Sequence, residues 1–390
     1  TGKAPQPATS LPLEDVEEAI REGPLLPRDA LQPRRGEKLQ EFGDVVAGYS
    51  FEHGGATYRY AVGRPKGFDA TRPHAVLLDP GHGTGAKLDA KGKADFVPFF
   101  RRAASESGLD PCLVVRSEIV EQIGADGLKG EKPEDYVARV FDELFRDLAT
   151  RYVIDPDRVY AAGLSQTGFW AWYLGRARAD RFAGLVPMSS VTWQVDAHLS
   201  NFLSVPVYVL HGSEDRVCPA GQPRATCPAI ARLGAPLLYR EVAGAGHDGG
   251  VWGGLGDGLK WCAERPRERY PKRVSKSLQT KLDGWCYWLR VDELEREGDG
   301  RAGSAPTAGI DGELEGETVR LYSEGVRAVT LCLASEMVDL DRPVSVVWNG
   351  ETVFQGKPER SLATMLELVR EKVDWKATFE AALPLRAPGP

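Results

Sequence analysis

The stretch Asp155–Gly168, with the sequence DPDRVYAAGLSQTG, decides the fold that we predict for this chain. Its segment Val159–Ala162 is short and made of apolar and small residues, as is typical of a buried strand, and a helical pattern follows it. Ser165 stands between the two, with Gly163 before it and Gly168 after it. A nucleophilic serine on a sharp strand-to-helix turn needs small neighbours, because the strained turn presses on the adjacent strand. The stretch therefore predicts a nucleophile at the carboxyl edge of a parallel sheet.

Short apolar runs of the same kind recur on both sides of this stretch and alternate with helical patterns such as Pro133–Tyr152. Buried strands separated by helices indicate a mostly parallel sheet with helices on both faces. Two alternating runs joined by Gly54-Gly55 come first and predict an antiparallel hairpin. The predicted strands are Val45–Glu52, Thr57–Val62, Ala75–Leu78, Cys112–Val115, Val159–Ala162, Gly184–Pro187, Val205–Leu210 and Leu237–Val242, and the last helix of this part is Leu255–Ala263.

We predict three regions: an N-terminal arm at 1–44, a catalytic α/β domain at 45–267 and a C-terminal domain at 268–390. The arm carries two polar helical patterns, Leu13–Arg21 and Asp29–Phe42. The C-terminal region has alternating strands with turn signals, which predict a small β-sandwich with a core of its own. Its predicted elements are the strands Arg273–Thr280, Trp285–Val291, Glu317–Tyr322, Val326–Leu333, Val344–Trp348, Thr352–Gln355 and Ala377–Leu383, the helix Ser361–Val373 and a flexible loop at Gly298–Gly312.

Composition excludes several classes of function. The 390 residues are 42% apolar and carry a net charge of −7. No apolar run approaches the ~20 residues that a bilayer span needs, so we expect no membrane span. A negative chain lacks the positive field that phosphate binding requires, so we expect no nucleic acid as a partner. No clustered His/Cys spacing suggests a metal, no cofactor is predicted, and the oligomeric state stays open.

The ends and the cysteines of the chain bear on its location. Thr1–Ser10 (TGKAPQPATS) is typical of the linker after a removed export signal, although a chain trimmed in another way would look the same. The six cysteines are an even number, which is compatible with export. Cys218 and Cys227 bracket a Pro/Gly-rich loop and are either a short disulfide or two free thiols. We expect export to the periplasm or the medium, with a cytoplasmic location as the alternative.

Two loops after Ser165 supply a base and an acid. His247 lies in a glycine-rich loop between the last predicted strand and the last helix of the α/β part. A neutral imidazole takes and returns one proton near neutral pH. Asp215 follows a strand end four residues after His211, where a carboxylate can hold the base in one tautomer. The chain order Ser165, Asp215, His247 therefore predicts a catalytic triad.

Other residues compete for these roles. Glu214 is adjacent to Asp215, and Asp196 lies on the loop after the preceding strand, so each is an alternative acid. Adjacent side chains on an extended turn point apart, so only one of Glu214 and Asp215 can face the base. His211 is an alternative base, which we interpret as a structural histidine at a strand end.

An earlier glycine-rich loop, Leu77–Gly85, leaves a predicted core strand. Its backbone amides, with that of Thr84 as the first choice, and the amide of Gln166 would form an oxyanion hole. The alternative, a phosphate-binding loop, lacks the G-x-x-x-x-G-K-[ST] pattern. Trp193 and Trp252 fall on loops at the same edge and are candidate walls of a substrate pocket, with plain core packing as the alternative. The two tryptophans of the helix after the serine, Trp170 and Trp172, are predicted core residues.

Residues 45–265 resemble the carboxylesterases, phospholipase/carboxylesterases and polyhydroxybutyrate-depolymerase-like esterases of the α/β-hydrolase superfamily. The resemblance implies Ser165, Asp215 and His247 as a triad, and a small or polymeric ester as substrate. Thr167 stands where the family has the second glycine of G-x-S-x-G. The motifs that carry the resemblance are HGTG at His82–Gly85, DPDRVYAAGLSQTG at Asp155–Gly168, HGSED at His211–Asp215 and GAGH at Gly244–His247.

The predicted function is thus a serine carboxylesterase. Two alternatives remain: a serine peptidase of the same fold, and a binding protein whose hydrolase-like part has lost activity, with Thr167 as the feature in favour of such a loss.

Overall fold

The computed structural model describes residues 33–34, 37–81, 90–124, 134–247 and 249–389. Within these ranges nine strands form one sheet in the order β1-β2-β3-β5-β4-β6-β7-β8-β9. The pairs β1-β2, β2-β3 and β3-β5 are antiparallel, and the remaining five pairs of neighbouring strands are parallel. The strands are β1 Gln40–Phe42, β2 Val45–His53, β3 Ala56–Gly63, β4 His74–Asp79, β5 Cys112–Ser117, β6 Ile154–Leu164, β7 Gly184–Met188, β8 Val207–Gly212 and β9 Leu237–Val242.

Helices cover both faces of this sheet, and strand β4 shows how the residues divide. Val76 and Leu78 join the core cluster of one face, and Ala75 and Leu77 join the cluster of the other. Successive side chains of a strand point to opposite faces, so a continuous apolar run indicates a strand buried on both sides. This is the predicted α/β-hydrolase sheet. Its helices are α1 Ala90–Glu106, α2 Ile119–Gly124, α3 Glu134–Ala149, α4 Gln166–Ala177, α5 Gly221–Arg232, α6 Gly249–Trp252 and α7 Leu255–Ala263.

The predicted strands of the α/β part are all present, and the helix Leu255–Ala263 has the predicted bounds. The predicted helix Asp29–Phe42 is wrong at its end, where Gln40–Phe42 pairs with β2 as a strand. The predicted helix Leu13–Arg21 lies outside the described residues. Within the described ranges, every helix is too short or too polar to cross a membrane.

The C-terminal part consists of two small sheets in a sandwich-like arrangement, as predicted. One has the order β10-β13-β14-β16-β17, with β14 and β16 parallel, and the other has the order β11-β12-β15-β18. Trp288, in the turn between two strands of the second sheet, packs over Gly312 of the first, where a β-carbon would lie 2.6 Å from the ring. The elements are β10 Arg273–Leu278, β11 Trp285–Cys286, β12 Leu289–Leu294, β13 Ala308–Glu315, β14 Thr318–Glu324, β15 Val326–Leu333, β16 Val344–Trp348, β17 Glu351–Gly356, α8 Leu362–Lys372 and β18 Ala381–Arg386.

Two expectations for this part differ from the structure. The predicted strand Trp285–Val291 is divided in two, because Tyr287 adopts a positive φ of 55° and turns the chain between β11 and β12. The predicted flexible loop Gly298–Gly312 is wrong, since its last five residues belong to β13 and its first residues are anchored by hydrogen bonds. Gly298, for example, donates its N–H to the carbonyl oxygen of Gln279 over 2.6 Å.

The two parts of the chain share one hydrophobic core, contrary to the predicted independent core. A single cluster of buried apolar residues runs from Val46 in β2, through Leu185 in β7, to Val274 and Leu385 in the sandwich. The boundary predicted at 267/268 falls in the connection between α7 and β10. A chain cut near Pro271 would therefore expose apolar surface on the α/β part, and we do not expect it to fold alone.

A group of buried charges, which we call the interface cluster, also joins the two parts. Lys276 Nζ contacts Asp283 Oδ1 over 3.0 Å and donates to the carbonyl oxygens of Arg176 and Ala177, the last residues of α4, over 3.0 Å each. Three acids and three bases balance the charge, and all six residues are buried. The interface cluster consists of Asp135, Asp142, Arg176, Arg178, Lys276 and Asp283.

Candidate active site

Ser165 occupies a sharp turn between β6 and α4. Its backbone has φ 60° and ψ −120°, a conformation that residues with a side chain rarely adopt. The Ser165 N–H donates to the carbonyl oxygen of Met188 at the end of β7 over 2.9 Å, which fixes the turn against the neighbouring strand. Strain of this kind costs on the order of 1–3 kcal/mol and persists where the surroundings impose it, which is common at functional sites. The side chain of Ser165 is half-buried.

Thr167, the departure from the family's pattern, fits this turn because Gly163 makes room for it. A β-carbon on Gly163 would lie 2.3 Å from Thr167 Oγ1 and 2.5 Å from Thr167 Cβ. The Thr167 hydroxyl donates to the carbonyl oxygen of Leu164 over 2.8 Å, so its polar atom is satisfied. Gly168 takes the close backbone approach instead, since its β-carbon would lie 2.8 Å from the carbonyl oxygen of Gly163. The crowding at the turn is thus relieved by glycines on either side of Thr167.

Asp215 and His247 are brought together. The distance from His247 Nδ1 to Asp215 Oδ2 is 2.8 Å, and the second carboxylate oxygen accepts the N–H groups of Val217 and Cys218 over 2.9 and 2.8 Å. The Asp215 side chain is fully buried, whereas 21% of the His247 side chain is exposed. With Nδ1 donating to the carboxylate, Nε2 of His247 is left to accept a proton.

The environment of Asp215 stabilises its charged form. Burial alone would raise the pKa of this carboxyl group. The hydrogen bonds from His247 and from the amides of Cys218 and Val217 outweigh burial, so the pKa of Asp215 lies below its ordinary value. Asp215 is therefore an anion at neutral pH.

The residues that competed for these roles have other surroundings. Glu214 is exposed, and its N–H donates to the carbonyl oxygen of Ala245 over 2.9 Å. Asp196 is also exposed and accepts the hydroxyl of Thr226 over 2.5 Å. His211 is buried, and its Nε2 lies 2.6 Å from the carbonyl oxygen of Cys218. This contact holds the loop that carries Asp215, so His211 has a structural role.

The three predicted triad residues lie at the carboxyl ends of three parallel strands of the same sheet. Ser165 follows β6, and Asp215 and His247 follow β8 and β9. The histidine loop rests directly on β8, because a β-carbon on Gly212 would lie 2.3 Å from the carbonyl oxygen of Gly246. Among the described residues, no hydrogen bond joins Ser165 Oγ to His247. Catalytic hydrogen bonds are often long in a free enzyme and shorten when substrate binds.

Cys218 is a neighbour of Ser165 that sequence reasoning missed as a site residue. Burial and the charge of Asp215 raise the pKa of the Cys218 thiol, while the Val191 amide and the Ser165 hydroxyl act in the opposite direction. The thiol thus lies between the serine turn and the acid loop. Cys218 and Cys227 are both free thiols, as are the other four cysteines, so the alternative without a disulfide is correct. No sequence pattern marks a thiol as a neighbour of a serine 53 residues before it.

Of the two predicted oxyanion donors, Thr84 and the HGTG motif at His82–Gly85 lie outside the described residues. Gln166 is the first residue of α4, so its N–H belongs to the positive end of that helix. An N–H in this position suits a negative oxygen formed beside Ser165.

The two predicted wall residues differ in their packing. Trp252 lies in α6 with its ring against Phe99 and Phe100 of α1, at centroid distances of 5.1 and 5.8 Å. Trp193 is 43% exposed, and its ring lies 5.4 Å from that of Phe169, one helical turn after Ser165. Trp252 is thus engaged in packing between helices, whereas Trp193 presents open aromatic surface near the serine.

Comparison with known proteins found similar folds at low sequence identity. A thermostable esterase has a TM-score of 0.47 at 20% identity, with 57% of this chain and 64% of that chain covered. A putative dipeptidyl aminopeptidase IV from Bacteroides ovatus has a TM-score of 0.44 at 12% identity, with 60% and 36% covered. A putative dienelactone hydrolase from Klebsiella pneumoniae has a TM-score of 0.44 at 17% identity, with 57% and 100% covered.

This chain thus spans less than two thirds of the length of the first two of these structures. A scan against protein-family models and a search of curated proteins each found no match. The chemistry of the site therefore depends on its own residues and geometry.

Proposed function

We propose that this protein is a serine hydrolase that cleaves carboxylic esters through an acyl-enzyme on Ser165. The observation that carries the proposal is the 2.8 Å contact between His247 and the buried carboxylate of Asp215, at the edge of the sheet where Ser165 occupies its strained turn. A buried acid behind a partly exposed imidazole is the arrangement that a general base needs.

In the first half of the reaction, His247 Nε2 takes the proton of the Ser165 hydroxyl while Oγ attacks the ester carbonyl carbon. The carbonyl oxygen becomes negative and is stabilised by the N–H of Gln166 and, in our proposal, by that of Thr84. Collapse of this intermediate breaks the bond to the alkoxy oxygen, which leaves as an alcohol with the proton from His247. The acyl group stays on Ser165.

In the second half, a water molecule takes the place of the alcohol. His247 accepts its proton, the hydroxide attacks the acyl carbon, and the acid leaves as Ser165 Oγ regains a proton. Asp215 stays ionised throughout and stabilises the imidazolium that forms twice in the cycle. We assign Trp193 to the wall of the substrate site, because it is the predicted wall residue whose ring is open to solvent.

Two measurements test this function. Wild-type protein is expected to react with a fluorophosphonate probe at Ser165, because only an activated serine labels; a lack of labelling would favour the inactive binding protein. A panel of p-nitrophenyl esters from acetate to palmitate, measured beside a peptide p-nitroanilide, separates an esterase from a peptidase. Faster cleavage of the amide than of every ester would contradict the proposal.

A further inference from the structure

The residues 298–304, which we call the bridging loop, connect the sandwich to the catalytic edge of the sheet. The N–H of Ala302 donates to Glu134 Oε2 over 3.0 Å, and the carbonyl oxygen of Gly300 accepts the N–H of Asp135 over 3.4 Å. Both partners stand at the start of α3, in the α/β part of the chain. The bridging loop is therefore bound to the α/β part by backbone groups, although it belongs to the C-terminal domain in sequence.

A second set of contacts holds the end of the bridging loop beside Trp193. His198 Nε2 lies 3.2 Å from the carbonyl oxygen of Ser304, and the side-chain amide of Gln279 donates to the same oxygen over 2.8 Å. Burial lowers the pKa of His198 to about 4, so the ring is neutral at pH 7 and its contact does not change near neutrality. Because His198 follows Trp193 by five residues, the loop that carries Trp193 is bound to the bridging loop.

Gly303 is the point where the bridging loop contacts the Trp193 ring. A β-carbon on Gly303 would lie 2.6 Å from Cε3 and 2.7 Å from Cζ3 of the indole. The residue also has a positive φ of 79°, so a glycine is favoured on two counts. The backbone of Gly303 therefore supports one part of the ring directly, and Phe169 packs against it at an interplanar angle of 48°.

We propose that the C-terminal domain fixes Trp193, through Gly303, as a stacking surface for an aromatic ring of the ester substrate. The inference rests on the proposed function and adds to it a class of substrate and a role for the second domain. Trp193 remains 43% exposed although two neighbours hold it, and one of these neighbours, Phe169, lies one helical turn along α4 from Ser165. A flat, immobilised indole suits a flat ring, because aromatic pairs gain energy from their geometry beyond the area they bury. An alkyl chain gains no such energy of aromatic stacking from an open surface.

The test compares esters with and without a ring: 2-naphthyl acetate carries it in the alcohol, ethyl 2-naphthoate carries it in the acyl group, and ethyl acetate lacks it. The measured quantity is kcat/KM for each ring-bearing ester divided by kcat/KM for ethyl acetate. We expect Trp193→Ala to lower this ratio about tenfold for at least one of the two ring-bearing esters, as the loss of a well-formed aromatic contact does. The ester affected identifies the side of the site on which Trp193 lies.

Gly303→Ala is expected to lower the same ratio, because its new methyl group displaces the ring. Gly316→Ala is the matched control, since Gly316 also has a positive φ, 57°, but meets nothing within 4 Å. The control carries the same backbone strain and should keep the wild-type ratio. If Gly303→Ala fails to fold, Glu134→Ala releases the bridging loop without added bulk and should lower the ratio in the same direction.

Unchanged ratios in Trp193→Ala and in the loop variants would overturn the inference while leaving the esterase proposal standing. A wild-type protein that hydrolyses none of the three esters and does not label with a fluorophosphonate would instead overturn the proposed function.

Discussion

The Asp215 site and the interface cluster both bury carboxylates, but different partners face them. Asp215 accepts two backbone amides and one imidazole, and that imidazole is partly open to solvent. In the interface cluster, Asp142 meets Arg178 over 2.9 Å, and burial of the carboxyl group is outweighed by the arginine charges, which lower the pKa of Asp142. The first site has one partner that can gain or lose a proton near neutral pH, and the second has partners with fixed charge.

This difference separates the site to which we assign proton transfer in our proposal from a cluster that holds the two parts of the chain together. Arginine is always charged in proteins, so Arg176 and Arg178 present the carboxylates of the interface cluster with a fixed positive charge. Removal of one member leaves the others buried without a counter-charge, which is costly. At the Asp215 site, a substitution mainly changes the tautomer and charge of His247, so activity should suffer more than stability.

The largest effect is expected from Ser165→Ala, which removes the proposed nucleophile. We expect kcat to fall by a factor on the order of 10⁶ and fluorophosphonate labelling to disappear, as loss of a serine nucleophile does in other hydrolases. Circular dichroism and thermal unfolding should stay close to those of the wild type, because the side chain is small and half-buried. A variant that keeps more than a few per cent of the activity would rule out Ser165 as nucleophile.

The next effect tests the acid. Asp215→Asn should lower kcat by roughly 10⁴, because an amide nitrogen facing Nδ1 favours the wrong tautomer of His247. Glu214→Gln and Asp196→Asn serve as controls and should each cost less than about tenfold, since exposed charges act weakly through solvent. A crippling effect of Asp196→Asn would transfer the role of the acid to the loop after β7.

Substitutions in the interface cluster should change the stability of the protein. Asp283→Asn removes the counter-charge of Lys276 and Arg178, and we expect the free energy of unfolding to fall by about 3–5 kcal/mol. The control is Glu315→Gln, which breaks the exposed pair with Arg320 and should cost less than about 1 kcal/mol. Urea denaturation of both variants measures the difference. Equal losses would mean that the interface cluster contributes no more than a surface pair.

The smallest effect concerns acid pH. Asp180 binds Lys372 across the same interface; burial would raise its pKa, but Lys372 lowers it to about 2 from an ordinary value of 3.8. A carboxyl group whose pKa is lower in the folded protein than in the unfolded chain stabilises the fold at every pH above its unfolded pKa. This contribution is lost as the pH falls through its folded pKa. We expect about 2 kcal/mol to be lost between about pH 4 and pH 2.

Asp180→Asn should flatten the fall in unfolding free energy over that pH range. Asp311→Asn, which removes an exposed carboxylate of the sandwich, is the control and should keep the wild-type slope. Parallel curves for wild type and Asp180→Asn would show that this pair does not set the acid stability.

Local sequence patterns predicted much of the fold and left out its long-range contacts. Apolar runs predicted the strands Val326–Leu333 and Val344–Trp348 with the bounds they have in the structure, because the apolar residues of a buried strand are visible in its own sequence. Strand β13, Ala308–Glu315, was missed because its glycines and acids are typical of loops and its burial depends on neighbours in β10 and β14. The shared core was missed for the same reason, since no local pattern shows that two cores meet.

At the candidate active site, too, local patterns predicted the residues but not the contacts between distant segments. Ser165, Asp215 and His247 were singled out by short motifs in a fixed chain order. The fit of Thr167 to Gly163 and the support of Trp193 by Gly303 depend on distances through space. Motifs indicate which residues carry chemistry, and contacts between distant segments decide how those residues are held.

The position of Lys276 has a consequence for how the protein is made. A ribosome releases the chain from its N-terminus, so α4 emerges well before its C-terminal carbonyls can meet Lys276, which stands 100 residues after Arg176. Arg178 likewise cannot contact Asp283 until a further 105 residues have been made. Until then, a nascent chain that closed its parallel sheet would leave the carbonyl oxygens of Arg176 and Ala177 without Lys276, and Arg178 without its second acid, Asp283. We expect the catalytic part to stay incompletely folded during translation and to depend on chaperones until the sandwich has emerged.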